Sequence, residues 1–141
     1  GVFVGRTALN ALERDPDFFL RHGYTYSGHS AVCAAALKNL EIIERDGLIE
    51  RAKHVGKRLS DGLHSLAADG VIDSVRGAGA IWAAGLKPDQ NCVTIRDTMI
   101  KRGVIARSIN ADTNAFCPPF VISDQQIDKL LDVFAAAAQG K

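Results

Sequence analysis

An amphipathic stripe between residues 48 and 66 constrains this chain more than any other feature of its sequence. Apolar side chains recur there at intervals of four, three, four, four and three residues, which is the repeat of one helix face. Gly47 precedes the stripe and Asp69-Gly70 follows it, so a helix is predicted between these two breaks. A stripe of this length predicts a helix packed against a partner surface. Its members are Leu48, Ala52, Val55, Leu59, Leu63 and Leu66.

Three further long helices are predicted. One follows Ser30, which is expected to be its N-cap, and carries a broad apolar face. Another covers residues 91–102 and stops at Gly103. The last begins at the S-x-x-Q capping box of residues 123–126. The residues of the 91–102 helix expected to lie mostly inward are Val93, Ile95, Met99 and Ile100.

The segments between these helices read as short strands. Residues 71–76 and 80–86 are predicted to pair around a turn at residues 77–79. Residues 104–108 form a third predicted strand, and residues 115–117 are a short apolar segment ended by two prolines. The order β-β-α-β-(β)-α predicts a compact α+β unit from about residue 70, with an antiparallel sheet and helices on one face.

The N-terminal segment is predicted to be the end of a larger fold. Val2-Phe3-Val4 is an apolar run with no loop before it, which predicts a strand that belongs to a larger fold. Residues 7–12 are predicted to form one or two helical turns, with Thr7 as the N-cap.

The charge balance and the cysteines exclude several classes of function. Lys plus Arg is 17 and Asp plus Glu is 16, a formal net charge of +1, and the longest basic runs are pairs. Nucleic acids and anionic membranes bind clustered positive charge, so neither partner is expected. No stretch approaches the ~20 apolar residues that cross a bilayer. Widely spaced Cys33, Cys92 and Cys117 predict reduced thiols in a cytoplasmic protein and no metal site.

The segment 22–30 holds hydroxyls, glycines and two histidines immediately before a predicted helix. Free backbone N–H groups and the helix dipole favour an anion such as phosphate at this position. An ordinary capped loop would have the same composition, so the residues alone leave both interpretations open.

Several segments, in the same order along the chain, resemble the class III aminotransferases. These are pyridoxal-phosphate enzymes of fold type I and include the ω-transaminases. Residues 22–29, His-Gly-Tyr-Thr-Tyr-Ser-Gly-His, are close to the family pattern H-G-x-T-Y-S-G-H-P and precede an alanine-rich helix. Ser30 replaces the usual Pro, and both residues suit a helix start. The resemblance continues through residues 44–48, 75–79, 103–104 and 118–123, so it covers essentially the whole chain.

The resemblance implies an α+β fragment of an α/β fold-type-I transferase that depends on pyridoxal phosphate. Residues 1–29 would be the tail end of the cofactor-binding large domain, residues 30–69 the connecting helices, and residues 70–141 the small C-terminal α+β domain. The family's catalytic lysine lies just upstream of a segment like Gly1-Val2-Phe3-Val4. No catalytic residue is therefore expected within this chain, which should be inactive alone.

The resemblance also implies roles for individual residues. Thr25 matches the threonine that binds the phosphate of pyridoxal 5′-phosphate held by the neighbouring subunit, and Ser27 and Gly28 shape the same turn. Arg107 aligns with the arginine that binds the substrate carboxylate, for which a planar guanidinium offers two parallel hydrogen bonds. Trp82 is a candidate for lining the substrate entrance, with a buried core position as the competing interpretation.

These roles imply a homodimer or larger assembly that moves an amino group between an amine or amino acid and a keto acid. The alternative is a non-catalytic α+β module that binds a small ligand or a protein partner on its sheet. The sequence upstream of residue 1 distinguishes the two, because the enzyme requires a lysine followed by Ser or Thr and Gly there.

Overall fold

The computed structural model describes residues 5–14, 17, 19 and 23–140, and it divides into two compact units, 1–37 and 38–141. In the second unit, from residue 48 onward, single helices alternate with pairs of strands. None of the helices in the described residues combines the length and apolar character needed to span a bilayer. In chain order the elements are α1 (Arg6–Leu12), α2 (Ser30–Arg45), α3 (Leu48–Ala68), β1 (Ser74–Ala78), β2 (Ile81–Gly85), α4 (Cys92–Lys101), β3 (Arg107–Ile109), β4 (Thr113–Phe116) and α5 (Asp124–Ala138).

The starts of α1 and α2 differ from the predicted ones. Gly5 is the N-cap of α1, so Thr7 lies inside the first turn and the prediction that it caps the helix was wrong. The carbonyl of His29 accepts the first hydrogen bond of α2, from the N–H of Cys33 at 3.0 Å. His29 is therefore the N-cap, and Ser30 is already helical. The predicted strand at residues 2–4 lies outside the described residues.

The amphipathic stripe of residues 48–66 forms α3 as predicted. Val55, Leu59 and Leu63 on this helix are completely buried. Gly47 before the helix has a φ of 61°, and Gly70 after it has a φ of 68°. These left-handed conformations favour glycine, so both residues break the helix where the sequence indicated.

The sheet is fully antiparallel and has the order β1-β2-β4-β3. The turn between β1 and β2 lies later than predicted, because Ala78 pairs with Ile81 and only Gly79 and Ala80 form the loop. Gly79, with a φ of 54°, supplies the left-handed residue that a two-residue hairpin needs. Gly77 lies within β1 instead, where a Cβ atom would lie 2.6 Å from the Trp82 ring.

The third strand also lies later than predicted, over 107–109 in place of 104–108. The reason is the end of α4. The N–H of Val104 donates to the carbonyl of Met99 at 3.0 Å and that of Gly103 donates to Ile100 at 2.9 Å, which is a Schellman motif. Val104 is therefore engaged in closing the helix and cannot begin a ladder.

The core lies on one face of the sheet, under α3, α4 and α5. Phe116 and Phe134 meet edge to face there, with ring centroids 5.0 Å apart. On α4 the prediction was wrong for two residues, since Val93 is 42% and Ile100 is 49% exposed. Cys92 takes the inward place with Ile95 and Met99, because positions i, i+3 and i+7 share a helix face. The sheet residues in the core, Val75, Trp82, Ala84 and Phe116, all lie on this face by their register.

Charged side chains clamp α3 to the start of α5. Arg51 Nη2 lies 2.8 Å from Asp124 Oδ1, and His54 Nε2 lies 3.0 Å from Asp124 Oδ2. Arg58, one turn further along α3, pairs with Asp128. The hydrogen bond from His54, and then that from Arg51, hold the pKa of Asp124 below its ordinary value.

The clamp predicts a dependence of stability on pH. Because the pKa of Asp124 is lower in the folded state, its carboxylate stabilises the fold above the ordinary aspartate pKa of about 3.9. This stabilisation is lost as the pH falls through the lower folded value. We therefore expect Asp124→Asn to unfold at a lower urea concentration than the wild type at pH 7, with the difference shrinking below about pH 4.

Asp97→Asn is the matched control, because the carboxylate of Asp97 pairs with the adjacent Arg96 on α4 and not across helices. It should have little effect at either pH. A difference between Asp124→Asn and the wild type that is the same at pH 7 and pH 3 would contradict the role of the ionised carboxylate.

Glycines at two positions of α3 allow close approach of other elements. A Cβ atom on Gly56 would lie 2.6 Å from the carbonyl carbon of Gly79, so the hairpin backbone packs directly on the helix. A Cβ atom on Gly62 would instead meet the end of the Leu131 side chain on α5. A backbone cannot yield as a flexible side chain can.

We expect Gly56→Ala to destabilise the protein by about 1–3 kcal/mol despite the better helix propensity of alanine, because the methyl group overpacks the contact with the hairpin. Gly62→Ala should be close to neutral, since a gain of about 1 kcal/mol in helix propensity offsets the displacement of Leu131. Urea unfolding of both variants measures the difference, and equal stabilities would contradict the close contact at Gly56.

Candidate functional site

The turn at residues 23–29 lies in the first unit and is built by local hydrogen bonds. Ser27 Oγ accepts from the N–H of Tyr24 at 2.8 Å, and the N–H of Ser27 donates to the carbonyl of Tyr24 at 2.9 Å. Gly28 has a φ of 73°, a conformation that favours glycine and turns the chain into α2. Ser27 and Gly28 therefore shape the turn that carries Thr25.

This turn presents unused hydrogen-bond donors. Within the described part of the chain, the Thr25 hydroxyl and the backbone N–H groups of Thr25 and Tyr26 have no hydrogen-bond partner. Thr25 is exposed, and α2 begins five residues later with no acidic side chain in its first turn. Free donors beside the positive end of a helix dipole suit a phosphate, so these residues fit the cofactor phosphate that the family resemblance implies.

Arg107 lies in the second unit, at the start of the edge strand β3. It pairs directly with Ala115 of β4, which in turn pairs with Ala83 of β2 and so with Arg76 of β1. Directly paired residues share a face of the sheet, and this row lies on the face opposite the helices, called here the outer face. Two arginines thus flank two alanines, and Arg107 is exposed.

Trp82 lies on the other face of the sheet. It pairs with Phe116, the neighbour of Ala115 in the chain, and successive strand residues point to opposite faces. Its indole Nε1 donates to the carbonyl of Gly79 at 2.9 Å, and its ring lies 5.9 Å from that of His64. The structure therefore does not bring Trp82 together with Arg107, and it favours the core interpretation of this tryptophan.

The strand beside Arg107 carries two buried polar residues that the sequence did not single out. Thr113 is 1% exposed and Asn114 is completely buried. Arg76 Nη2 donates to Thr113 Oγ1 at 3.0 Å on the outer face, and Asn114 Nδ2 donates to the carbonyl of Cys92 at 3.0 Å on the core face. The sequence predicted Arg76 only as the last residue of a strand before a hairpin turn, because its partner lies 37 residues further along the chain.

An apolar groove of about 750 Å³ lies beside the two prolines that follow β4. Its lining includes Ile105, Cys117, Pro118, Val121 and Lys129. The sequence gives no sign of it, because an irregular Pro-Pro segment has no periodicity. Among the described residues, no group of three or more His, Cys, Asp or Glu side chains could hold a metal ion.

Comparison with known proteins gives the same family as the motifs. The family model described as Aminotransferase class-III matches residues 3–138. The diaminobutyrate–2-oxoglutarate transaminase of Halomonas elongata is 33% identical over 93% of this chain and 31% of its own length. The β-alanine–pyruvate aminotransferase of Pseudomonas aeruginosa is 34% identical over 84% of this chain and 28% of its own.

Comparison with solved structures indicates the same family. A transaminase from the marine bacterium Virgibacillus has a TM-score of 0.87 at 28% identity, covering 97% of this chain and 34% of that one. An ω-transaminase variant from Pseudomonas jessenii has a TM-score of 0.78 at 32% identity, covering 86% of this chain and 29% of that one. The chain thus spans about a third of the length of the proteins it matches, as an α+β fragment of their fold, and it belongs to the class III aminotransferase family.

Proposed function

We propose that this chain supplies two binding sites of a pyridoxal-phosphate-dependent aminotransferase that moves an amino group between an amine or amino acid and a keto acid. The turn of Thr25, Ser27 and Gly28 binds the cofactor phosphate, and Arg107 binds the substrate carboxylate. The observation that carries the proposal is the exposed guanidinium of Arg107 on the outer face, within a chain that belongs to this family.

The proposed phosphate site depends on donors of exposed residues that have no hydrogen-bond partner among the described residues. The Thr25 hydroxyl and the free N–H groups of the turn offer several hydrogen bonds to phosphate oxygens, and bonds to a charged acceptor are the strong ones. When bound, the pyridoxal ring supplies the electron sink for the carbon that gains or loses the amino group. In the family pattern this threonine serves the neighbouring subunit, so the proposal includes a homodimer or larger assembly.

The carboxylate site depends on the small residues beside Arg107. Ala115 is its direct partner on β4, and Ala83 follows on β2, so no bulky side chain of this row stands between the guanidinium and a ligand on the outer face. A guanidinium binds a carboxylate through two parallel N–H···O bonds, which fixes both the position and the orientation of the substrate.

The proposal places the catalytic lysine outside this sequence. A lysine becomes a nucleophile when its pKa is lowered by burial or by a neighbouring cation. No lysine in the described residues is buried, and three of them, Lys38, Lys53 and Lys57, form ion pairs with glutamate or aspartate on the helix surface. The residues of this chain therefore bind and orient, and the covalent step needs a group from elsewhere.

Thr25→Ala in the complete enzyme should weaken retention of pyridoxal phosphate. A lost hydrogen bond to a charged group costs about 1.5–3 kcal/mol, or roughly ten- to a hundred-fold in the cofactor dissociation constant. Thr25→Ser keeps the hydroxyl and should stay close to the wild type. An unchanged dissociation constant for Thr25→Ala, measured by cofactor absorbance after dialysis, would remove Thr25 from the phosphate site.

Arg107→Ala should raise the Michaelis constant for a keto acid by roughly ten- to a hundred-fold, because it removes charge-assisted hydrogen bonds to the carboxylate. The half-reaction with an amine donor that has no carboxylate should be nearly unchanged. Arg107→Lys keeps the charge but loses the bidentate geometry, so an intermediate value is expected. Equal losses in both half-reactions would instead indicate a role in folding.

Trp82→Ala should lower stability by about 2–4 kcal/mol, since the half-buried ring packs against the core. Trp82→Phe keeps most of the packing and loses the hydrogen bond to Gly79, so it should lower stability by only about 1 kcal/mol. Neither variant should change the Michaelis constant for either substrate. A changed constant with unchanged urea unfolding would restore Trp82 to the substrate entrance.

A further inference from the structure

We propose that Arg76, acting through Thr113, is a positioning residue for Arg107: it holds β4 from the outer face and so fixes the edge strand that presents the carboxylate-binding guanidinium. The inference rests on the proposed role of Arg107. It adds a residue on a different strand, which does not itself need to contact the substrate.

The strand of Arg107 has a single neighbouring strand in the sheet. β3 is three residues long and lies at the edge of the sheet, next to β4 only. Its pairs are Arg107 with Ala115, Ser108 with Asn114, and Ile109 with Thr113. The position of Arg107 therefore depends on where β4 lies, and on whatever fixes β4.

On the core face, one side chain of β4 and one of β3 donate hydrogen bonds to the same backbone carbonyl. Asn114 Nδ2 donates to the carbonyl of Cys92 at 3.0 Å, and Ser108 Oγ donates to the same carbonyl at 3.4 Å. Cys92 is the first residue of α4 and is completely buried. One side of the strand pair is thus anchored to the start of a helix.

On the outer face, the anchor is Arg76. Its Nη2 donates to Thr113 Oγ1 at 3.0 Å although β2 lies between their strands. The arginine can cross β2 because the outer-face residues there are Ala83 and Gly85, which have almost no side chain. Two strand spacings of about 4.8 Å separate β1 from β4, and the arginine side chain, the hydrogen bond and the threonine side chain together bridge that distance.

The hydroxyl of Thr113 both accepts and donates a hydrogen bond. It accepts from Arg76 and donates to Asp112 Oδ1 at 2.9 Å, so it joins a guanidinium to a carboxylate. The N–H of Leu86, just after β2, donates to the carbonyl of Asp112 at 2.7 Å. Charge at both ends strengthens such a chain of hydrogen bonds, and Thr113 is 1% exposed, so water does not replace it readily.

Loss of this anchor should displace Arg107 without unfolding the sheet. Ile109, the pair of Thr113, lies two residues from Arg107 on the same face, so a shift of β4 at Thr113 moves the arginine with it. A displacement of about 1 Å in a binding group can cost up to a hundred-fold in rate.

The first test uses the complete enzyme. Arg76→Ala and Thr113→Val should each raise the Michaelis constant for a keto acid about ten-fold, and leave the rate with an amine that has no carboxylate unchanged. Arg76→Lys and Thr113→Ser keep a donor and an acceptor and should restore most of the affinity. The double variant should be no worse than either single one. Arg96→Ala, on α4 beside Asp97, is the control and should have no effect.

The second test needs no activity. In the complete enzyme, amide hydrogen exchange of β3 and β4 should be faster in Arg76→Ala and Thr113→Val than in the wild type or Arg96→Ala. If Arg107→Ala leaves the Michaelis constant unchanged, the carboxylate role fails, and exchange alone still decides whether Arg76 orders β3. Unchanged exchange would overturn the positioning role. So would a raised Michaelis constant in Arg76→Ala without one in Thr113→Val, which would make Arg76 a direct ligand.

Discussion

Burial of one face of α3 is the constraint on which the rest of the second unit depends. Val55, Leu59 and Leu63 are completely buried against the hairpin of β1 and β2 and against α5. Gly56 lets the hairpin backbone approach the helix directly, and the charged clamp at Asp124 fixes the start of α5. With these contacts in place, the helices cover one face of the sheet, and the outer face carries Arg76, Ala83, Ala115 and Arg107 in one row.

The strand order then determines where the side chain of Arg107 lies. Because β4 enters the sheet between β2 and β3, Arg107 lies at the edge and on the outer face, away from the core. An edge strand of three residues is a weak support for a side chain that is proposed to bind a substrate. Buried polar contacts on both faces of β4, at Thr113 and Asn114, compensate for that weakness, and these two are the buried polar residues within the part of the unit that the structure describes.

The sequence predicts the long elements well and the short ones poorly, for a physical reason. The six apolar residues of the α3 stripe are enough to establish a helical period, whereas a three-residue strand has too few residues to show a period. The capping box at Ser123 was predicted correctly because it is a local pattern. The start of the third strand was predicted wrongly because the N–H of Val104 is used by the helix before it. The inward side of α4 was wrong at Val93 and Ile100, since only the neighbouring elements decide which face is covered.

The candidate site residues show the same contrast between local patterns and contacts that depend on distant elements. The turn around Thr25 is a continuous motif, so its residues could be found from the sequence, and its free donors agree with an anion site. The contact of Arg76 with Thr113 could not be found, because it depends on the register of three strands. A one-residue slip of β3 would turn Arg107 to the core face, and a one-residue slip of β2 would turn Trp82 to the outer face. The alanines of the outer row and the large residues of the core row oppose such slips, so the packing that folds the sheet also determines which face carries Arg107.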